Sequence, residues 1–338
     1  MEDVSPKLIE HVPGINQILV VGDALIDHQY WIDRMPGVGE DTIIRSFLKN
    51  VGGSAANTAI ALAYLGVPTQ FYGTIGRDLD GDLIIQQMRS VGVDTSGIQY
   101  GETTGFTITM IDENSERTMF SFRGASSSAL SIDKPLLESI KLSRLLLTSG
   151  YQLLYPDQAE VVLSVAESVH TEGNLVALDP SPLIGDVPES IRTRMLGITD
   201  ILLPNLRELT VLTGEADPAA ALEKARSLSK YVAVKLGSKG ASMVIQAGFQ
   251  FADGQRASDD LCFEAPANQV QAVDTTGAGD AFNAGFLASF IRNETPENWL
   301  RSGNNLAGEV VQHRGAVSMF CPPSQSSVTL KTKIRRSE

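Results

Sequence analysis

Cysteine is nearly absent: the 338-residue chain carries two, Cys262 and Cys321. Two thiols make neither a disulfide framework nor a zinc set, and they read as ordinary packed side chains. Histidine is almost as scarce. His11, His28, His170 and His313 lie far apart without ligand spacing, which disfavours a metal centre built from protein ligands alone. Aromatic residues make up only 6%. No uncharged apolar run reaches the ~18 residues a membrane span needs, so no membrane partner is expected. Basic charge is in short supply too: 27 Lys and Arg stand against 40 Asp and Glu, a net charge of −13. Such a surface repels phosphate backbones and argues against nucleic acid as a partner. The opening Met1-Glu2-Asp3 lacks the basic start of a signal peptide, so a cytoplasmic protein is expected.

What is present is a core. An apolar fraction of 43% with 20% charge marks a globular chain long enough for one large domain or two smaller ones. Short β-branched or leucine runs alternate with helix-period stretches. The runs Ile18–Val21, Leu145–Leu147, Leu175–Leu178, Ile201–Leu203 and Tyr231–Leu236 read as buried strands. Segments such as Asp157–His170 and Pro218–Lys230 read as helices between them. This alternation predicts βαβ units, and hence an α/β fold with a mostly parallel sheet flanked by helices on both faces.

Two stretches break the rhythm. Residues 28–50 carry Tyr30-Trp31-Ile32 and Thr42–Phe47, joined through Pro36-Gly37. Residues 103–123 alternate through Thr107–Ile111, turn at Asp112–Ser115, and alternate again through Arg117–Phe122, which is a hairpin pattern. Neither has room for a crossover helix. They predict a small antiparallel β lid on a main domain made of 1–27, 51–102 and 124–338. Trp31, Ile43, Phe47, Met119 and Phe120 read as apolar residues left on that lid, which predicts a homodimer formed through it. The tail from Thr329, with Lys331, Lys333, Arg335 and Arg336, is expected to fray.

Five motifs carry the chemistry. Asp274-Thr275-Thr276-Gly277-Ala278-Gly279-Asp280 leads into a helix expected over Ala281–Ile291. Glycines at a helix start let N–H groups converge beside the positive end of the dipole, which makes an anion hole. A dinucleotide fingerprint fails here, because Phe282 holds the third glycine position and Asp280 would face the pyrophosphate. A carboxylate beside an anion hole suits proton transfer from a nucleophile. On the residues alone, a helix-capping Asp after turn glycines serves equally well. The dipole favours the ionised form, which predicts a depressed pKa for Asp280.

Gly52-Gly53-Ser54-Ala55-Ala56-Asn57 opens a helix that stops at Gly66. It departs from a nucleophile elbow at Ala56, and no phosphate-loop Lys-Ser/Thr follows. A close-approach surface for a polar ligand, with Asn57 directed at hydroxyls, remains beside a plain glycine turn. Asp23 and Asp27 follow the first strand, at the end where α/β sheets bind ligands; a turn acid is the other reading. Asn205 and Glu208 have the spacing of a capping box. Lys235-Leu236-Gly237-Ser238-Lys239-Gly240 is by itself a hairpin turn.

In order and spacing, over roughly residues 17–320, these motifs resemble the ribokinase-like (phosphofructokinase B type) family of sugar and nucleoside kinases. The resemblance implies the ribokinase-like fold and an ATP-dependent, Mg²⁺-requiring phosphotransferase. It implies Asp280 as general base and Gly277, Ala278 and Gly279 as the anion hole. It assigns Asn205 and Glu208 to the triphosphate and hydrated Mg²⁺, with Lys235, Gly237, Ser238, Gly240 and Asn304 around the nucleotide. Asp23, Asp27, Gly52, Gly53 and Asn57 fall in the sugar-binding positions. Asp274, Thr276 and Gly315 match a loop that in some members binds a monovalent cation, which predicts activation by K⁺.

Leu25 and Ser54 stand where ribokinases usually carry Asn and Lys, which argues against ribose. The run Gly22–Asp27 looks more like fructokinases and ketodeoxygluconate kinases, although Ser181-Pro182 after Asp179-Pro180 departs from the usual fructokinase pattern. Arg117 or Arg123 on the lid hairpin could reach an acidic sugar, or lie on a solvated strand face. The expected activity is phosphorylation of a primary hydroxyl of a small sugar or sugar acid. A nucleoside kinase, a hydrolase using Ser54 and a non-catalytic sugar-binding regulator are the alternatives.

Overall fold

A computed structural model describes residues 17–114, 116–250 and 255–321. The expectations for Met1–Asp3, His11, Ser115 and the tail from Thr329 fall outside the described residues. In chain order the strands are β1 (Gln17–Val21), β2 (Leu25–Ile32), β3 (Ile44–Gly52), β4 (Thr69–Gly76), β5 (Asp94–Gly101), β6 (Gly105–Ile111), β7 (Arg117–Phe122), β8 (Ser143–Ser149), β9 (Leu175–Asp179), β10 (Ile201–Leu202), β11 (Tyr231–Lys235), β12 (Ala241–Ile245) and β13 (Leu261–Ala265). The α-helices are α1 (Ser54–Tyr64), α2 (Leu79–Ser90), α3 (Lys134–Leu142), α4 (Pro156–Thr171), α5 (Glu189–Gly197), α6 (Leu206–Thr213), α7 (Pro218–Ala225), α8 (Ala278–Ile291) and α9 (Pro296–Val310).

Among the described residues the larger sheet has nine strands in the order β13-β12-β11-β10-β9-β8-β1-β4-β5. All pairs from β11 to β5 are parallel, and β12 and β13 add an antiparallel edge. Strand pleating divides the core in two. Ile18 and Val20 of β1 face a cluster with α1, α2, α8 and α9, while Leu19 and Val21 face α3, α4, α5, α6 and α7. Both faces are buried, which is why these strands read as unbroken apolar runs rather than alternating ones.

Two helix limits differ from expectation. The helix after Asp217 ends at Ala225 rather than Lys230, because Ser227 and Leu228 donate to the carbonyls of Lys224 and Ala225 in a tighter closing turn. The last motif's helix starts at Ala278 rather than Ala281, with Gly277 as its N-cap in the left-handed region at φ 77°. Asp280 therefore lies in the first turn.

The smaller sheet has the order β3-β2-β6-β7. Its hairpins β2–β3 and β6–β7 are antiparallel, and they join edge to edge through parallel pairing of β2 with β6. The strands extend past 28–50 at both ends, from Leu25 to Gly52. Ile43, Met119 and Phe120 are exposed, as expected. Trp31 and Phe47 are not: the Arg314 guanidinium covers the Trp31 ring at 4.5 Å, and Phe47 packs on Tyr30.

Candidate active site

A cavity of about 610 Å³ opens along the C-terminal ends of the parallel strands. Asp23 follows β1, Asp179 ends β9, Asn205 follows β10 and Lys235 ends β11, and all four line it. A parallel sheet with crossover helices leaves this edge as a crevice. Thr107, Met119 and Ser121 of the smaller sheet, and Arg123 just after β7, close the cavity from above.

Asp280 stands in the middle. Ser54 Oγ donates to its Oδ1 at 2.7 Å, and Asn57 Nδ2 donates to its Oδ2 at 2.8 Å. The head of α1 is thereby tied to the head of α8. Burial first, and then Asp179, lift the Asp280 carboxyl from 3.8 to about 7, with Asn57, Ser54 and Lys235 offsetting this only in part. The expected depression is thus corrected: loss of hydration outweighs the helix dipole, whose contribution is about 0.3–1 kcal/mol. The cap alternative finds no support, since Asp280 makes no capping bond and the N-cap is Gly277.

Beside Asp280 the first helical turn offers its donors to the cavity. Ala278 N–H turns back to the Thr275 carbonyl at 3.3 Å, so Ala278 contributes less than expected. Among the described residues no protein acceptor takes the N–H groups of Gly277 and Gly279. A Cβ on Gly277 would lie 2.5 Å from that of Ala316, so only glycine fits this turn. A Cβ on Gly279 would lie 3.6 Å from Lys235 Nζ, which places that ammonium close to these N–H groups. Lys235 Nζ donates to Asp179 Oδ2 and Asn283 Oδ1, each at 3.2 Å. Burial works against its charge, but Asp179 and Glu208 prevail and hold its pKa above the ordinary value.

One end of the cavity is acidic. Asp23, Asp27, Gly53 and Asn57 line it, and Gly52 lies just behind, where a Cβ would fall 2.3 Å from the Asp27 carboxyl carbon. Burial first, and then Asp280, Asp23 and Asp274, push Asp27 up to about 7. Arg123 is not on a solvated face. Its Nη2 donates to Asp23 Oδ2 at 2.9 Å, and its guanidinium covers the Tyr151 ring at 4.6 Å.

The other end is lined by Asn205, Glu208, Gly237, Ser238, Gly240 and Asn304. The capping box forms: Asn205 Oδ1 accepts from Glu208 N at 2.9 Å, while Glu208 Oε2 accepts from Asn205 N at 2.8 Å. Burial raises the Glu208 pKa against the pull of Lys235. Two buried carboxylates, Glu208 and Asp179, thus face the cavity with one ammonium between them, a donor set that fits a hydrated Mg²⁺. Asn304 Nδ2 donates to the carbonyls of Ala265 and Pro266, at 2.9 and 3.2 Å, and so supports the cavity wall.

Arg117, Asp274 and Gly315 do not line the cavity; they lie beside the loop Thr275–Gly279, so Arg117 is not placed to reach a ligand there as expected. Arg117 Nη2 donates to Asp274 Oδ1 at 2.6 Å. The same oxygen accepts from Thr276 N at 2.9 Å and Thr276 Oγ1 at 2.7 Å, while Oδ2 accepts from Gly315 N at 2.9 Å and Gln29 Nε2 at 3.3 Å. Burial opposes ionisation of Asp274, yet the Gly315 and Thr276 donors and Arg117 keep its pKa below the ordinary value. Five donors against about four lone-pair positions leave no room for K⁺ on this carboxylate.

Sequence reasoning missed Asp179, Tyr151 and the segment 267–272 as cavity residues and Asn283 as the buried partner of Asp179 and Lys235, and it did not foresee Ser54 as a partner of Asp280. Asp179 had a usable signal in its position at a strand's C-terminal end. Asn283 and Tyr151 had none, since each acts through residues far along the chain. Among the described residues no histidine lines the cavity, so Ser54 has no histidine partner of the kind a serine hydrolase uses.

Comparison with known proteins accounts for this geometry. The family model for pfkB family carbohydrate kinases matches residues 15–322. A ribokinase of Arabidopsis thaliana is 31% identical over 94% of this chain and 80% of its own length. An ATP-dependent ribose-1-phosphate kinase of Halopiger xanaduensis is 28% identical over 89% of this chain and 94% of its own. The solved structure of an Arabidopsis thaliana ribokinase complexed with ribose and ATP superposes with a TM-score of 0.76 at 29% identity, covering 91% of this chain and 96% of the other. The nine-stranded sheet, the β lid and the cleft between them are those of a ribokinase-type fold, and the chain belongs to the pfkB family of carbohydrate kinases.

Proposed function

We propose that this protein transfers the γ-phosphoryl group of ATP to a primary hydroxyl of a small sugar, with Asp280 as general base. The observation that carries this reading is the position of Asp280. It lies between an acidic, hydroxyl-accepting end (Asp23, Asp27, Asn57) and an end built from Lys235, Asn205 and Glu208, within one cavity. Asp23 and Asp27, with Asp280 adjoining, set three carboxylates against one guanidinium that is itself paired to Asp23, which favours a neutral polyol over a sugar acid. Asp27 and Asn57 orient the sugar. Asp280 accepts the proton of the attacking hydroxyl as that oxygen bonds to the γ-phosphorus. The bond to the β–γ bridging oxygen breaks, and ADP leaves with its electron pair. Gly277 and Gly279 N–H groups and the Lys235 ammonium take up charge on the non-bridging oxygens. Glu208 and Asp179 would hold a hydrated Mg²⁺, which would supply further positive charge against the phosphates. The lid strands exclude water, so that ATP is not hydrolysed.

The lid's exposed Ile43, Met119 and Phe120 support a homodimer through this sheet. Among the described residues no helix is long and apolar enough to cross a membrane. The low cysteine content suits a reducing cytoplasm. A nucleoside acceptor is the second reading, supported by a nucleoside kinase of Methanothermobacter thermautotrophicus at 24% identity. The test is ATP consumption and product analysis across ribose, deoxyribose, ribose 1-phosphate, fructose, ketodeoxygluconate and nucleosides. Sugar-dependent ADP release supports the main reading, and nucleoside-dependent release alone selects the second. Binding of a sugar without ADP release, at saturating ATP and Mg²⁺, would mark a non-catalytic regulator.

A further inference from the structure

The loop Asp274–Thr276 carries the residues that the family resemblance ties to a monovalent cation, but the space on that carboxylate is taken. Arg117 reaches it from β7, 157 positions away in sequence. Its Nη2 lies on Asp274 Oδ1 at 2.6 Å and its Nη1 on Thr276 Oγ1 at 3.0 Å. The pair is sheltered, with 3% of the Asp274 side chain and 29% of the Arg117 side chain exposed. We propose that the Arg117 guanidinium serves as a built-in cation for this loop, so that the enzyme needs no K⁺ and the anion hole is ordered only when the lid is seated. Arg117 is a positioning residue: it touches neither cavity nor reacting atoms and acts through Asp274 and Thr276 on Gly277 and Gly279.

Three further contacts support this. Gln29 of β2 donates both to Asp274 Oδ2 and to Thr276 Oγ1, at 3.3 and 3.2 Å, so a second lid strand grips the same loop. Arg314 lies over Trp31, and Asn50 Nδ2 donates to Ser318 Oγ at 2.9 Å, which joins the lid to the segment carrying Gly315. A partly sheltered guanidinium that pairs with a buried carboxylate and a hydroxyl brings charge and direction together. A free ion brings charge alone, and leaves the loop indifferent to the lid. The buried Gln29 Oε1 has no partner beside this pair. With Arg117 truncated, Asp274 Oδ1 and Thr276 Oγ1 each lose one donor beside the unpartnered Gln29 Oε1, and the vacated guanidinium position is open to a small cation.

The inference rests on the kinase reading only for its activity arm. Melting temperatures of the full chain and of Arg117→Ala and Arg117→Lys are measured in KCl and in choline chloride at equal ionic strength, and turnover is measured in the same salts with the sugar found above. The wild type and Arg117→Lys should melt and turn over alike in both salts. Arg117→Ala should melt lower in choline and recover saturably with K⁺, with kcat down by about 10- to 100-fold in choline and largely restored by K⁺. A purely packing role would give a loss that K⁺ does not mend. Either an Arg117→Ala variant without a specific K⁺ response, or a wild type stabilised by K⁺ as strongly as the variant, overturns the proposal. The melting arm stands even if no acceptor is found, which separates failure of this inference from failure of the kinase assignment.

Discussion

Replacing Asp280 by Asn gives the sharpest test of the proposed chemistry, because the structure predicts opposite changes in rate and stability. The amide has the shape of the carboxyl. Its oxygen can accept from Asn57 Nδ2, and its NH₂ can donate to Ser54 Oγ, whose hydroxyl turns to accept, so both contacts to the head of α1 survive. What is lost is the proton acceptor. General-base loss costs about 10²- to 10⁴-fold in kcat, or ~2.7–5.5 kcal/mol of barrier. What is gained is relief of a buried charge. Lifting a carboxyl from 3.8 to about 7 corresponds to at most ~4 kcal/mol at pH 8, at ~1.36 kcal/mol per pH unit, reduced by water in the open cleft. The sign follows from proton uptake. Between pH 3.8 and about 7 the native state holds a proton that the unfolded chain has lost, so wild-type stability falls as pH rises through this window. The Asn variant lacks this term. Its melting temperature should match the wild type near pH 4 and exceed it at pH 8. Wild-type kcat/KM should climb with pH until about 7 and then level off, while the residual rate of the variant lacks that limb. Turnover, nucleotide affinity and calorimetric melting at several pH values check all of this. An Asn variant within threefold of wild-type turnover, or one that keeps the same pH limb, would refute the base assignment.

Asp27→Ala should raise the sugar KM or lower kcat/KM by on the order of 10²-fold or more, since charge-assisted bonds contribute about 1.5–3 kcal/mol each, with ATP affinity nearly unchanged. Titration with sugar and with a non-hydrolysable nucleotide checks it, and a fall in nucleotide affinity alone would place the sugar elsewhere. Lys235→Met should leave Asp179 and Glu208 facing one another without a counter-charge, weakening ATP use by at least ~10-fold and destabilising the fold by up to ~3–5 kcal/mol, read from nucleotide titration and urea unfolding. The double change Phe120→Ser and Phe122→Ser, on the lid face turned away from the cavity, should shift a dimer to monomer in sedimentation, with far-ultraviolet circular dichroism unchanged. A wild type that is already monomeric at micromolar concentration removes the lid interface.

The sequence by itself determined what neighbouring residues encode. Apolar runs bounded by turns made the parallel strands, and Asn205 and Glu208, three positions apart, closed the capping box that their spacing predicts. Glycines before α8 made the left-handed entry at Gly277, and alternation through Thr107–Phe122 made the β6–β7 hairpin. All of these are settled within a few residues, where sterics and periodicity act. Tertiary structure alone decided what depends on distances between remote segments. Local reasoning put Asp280 at a dipole that lowers its pKa; the folded chain buries it near Asp179 and raises it instead. The lid hairpin showed Arg117 as a strand-face cation, and only the folding of β7 over the loop 157 positions away gives it Asp274 as partner. The register of β2 on β6 is likewise invisible locally, since pairing brings together strands more than seventy residues apart. Backbone conformation is a local property, whereas desolvation and ion pairing depend on which distant groups share a volume, and in this protein those two effects set the charge of Asp280 and the partner of Asp274.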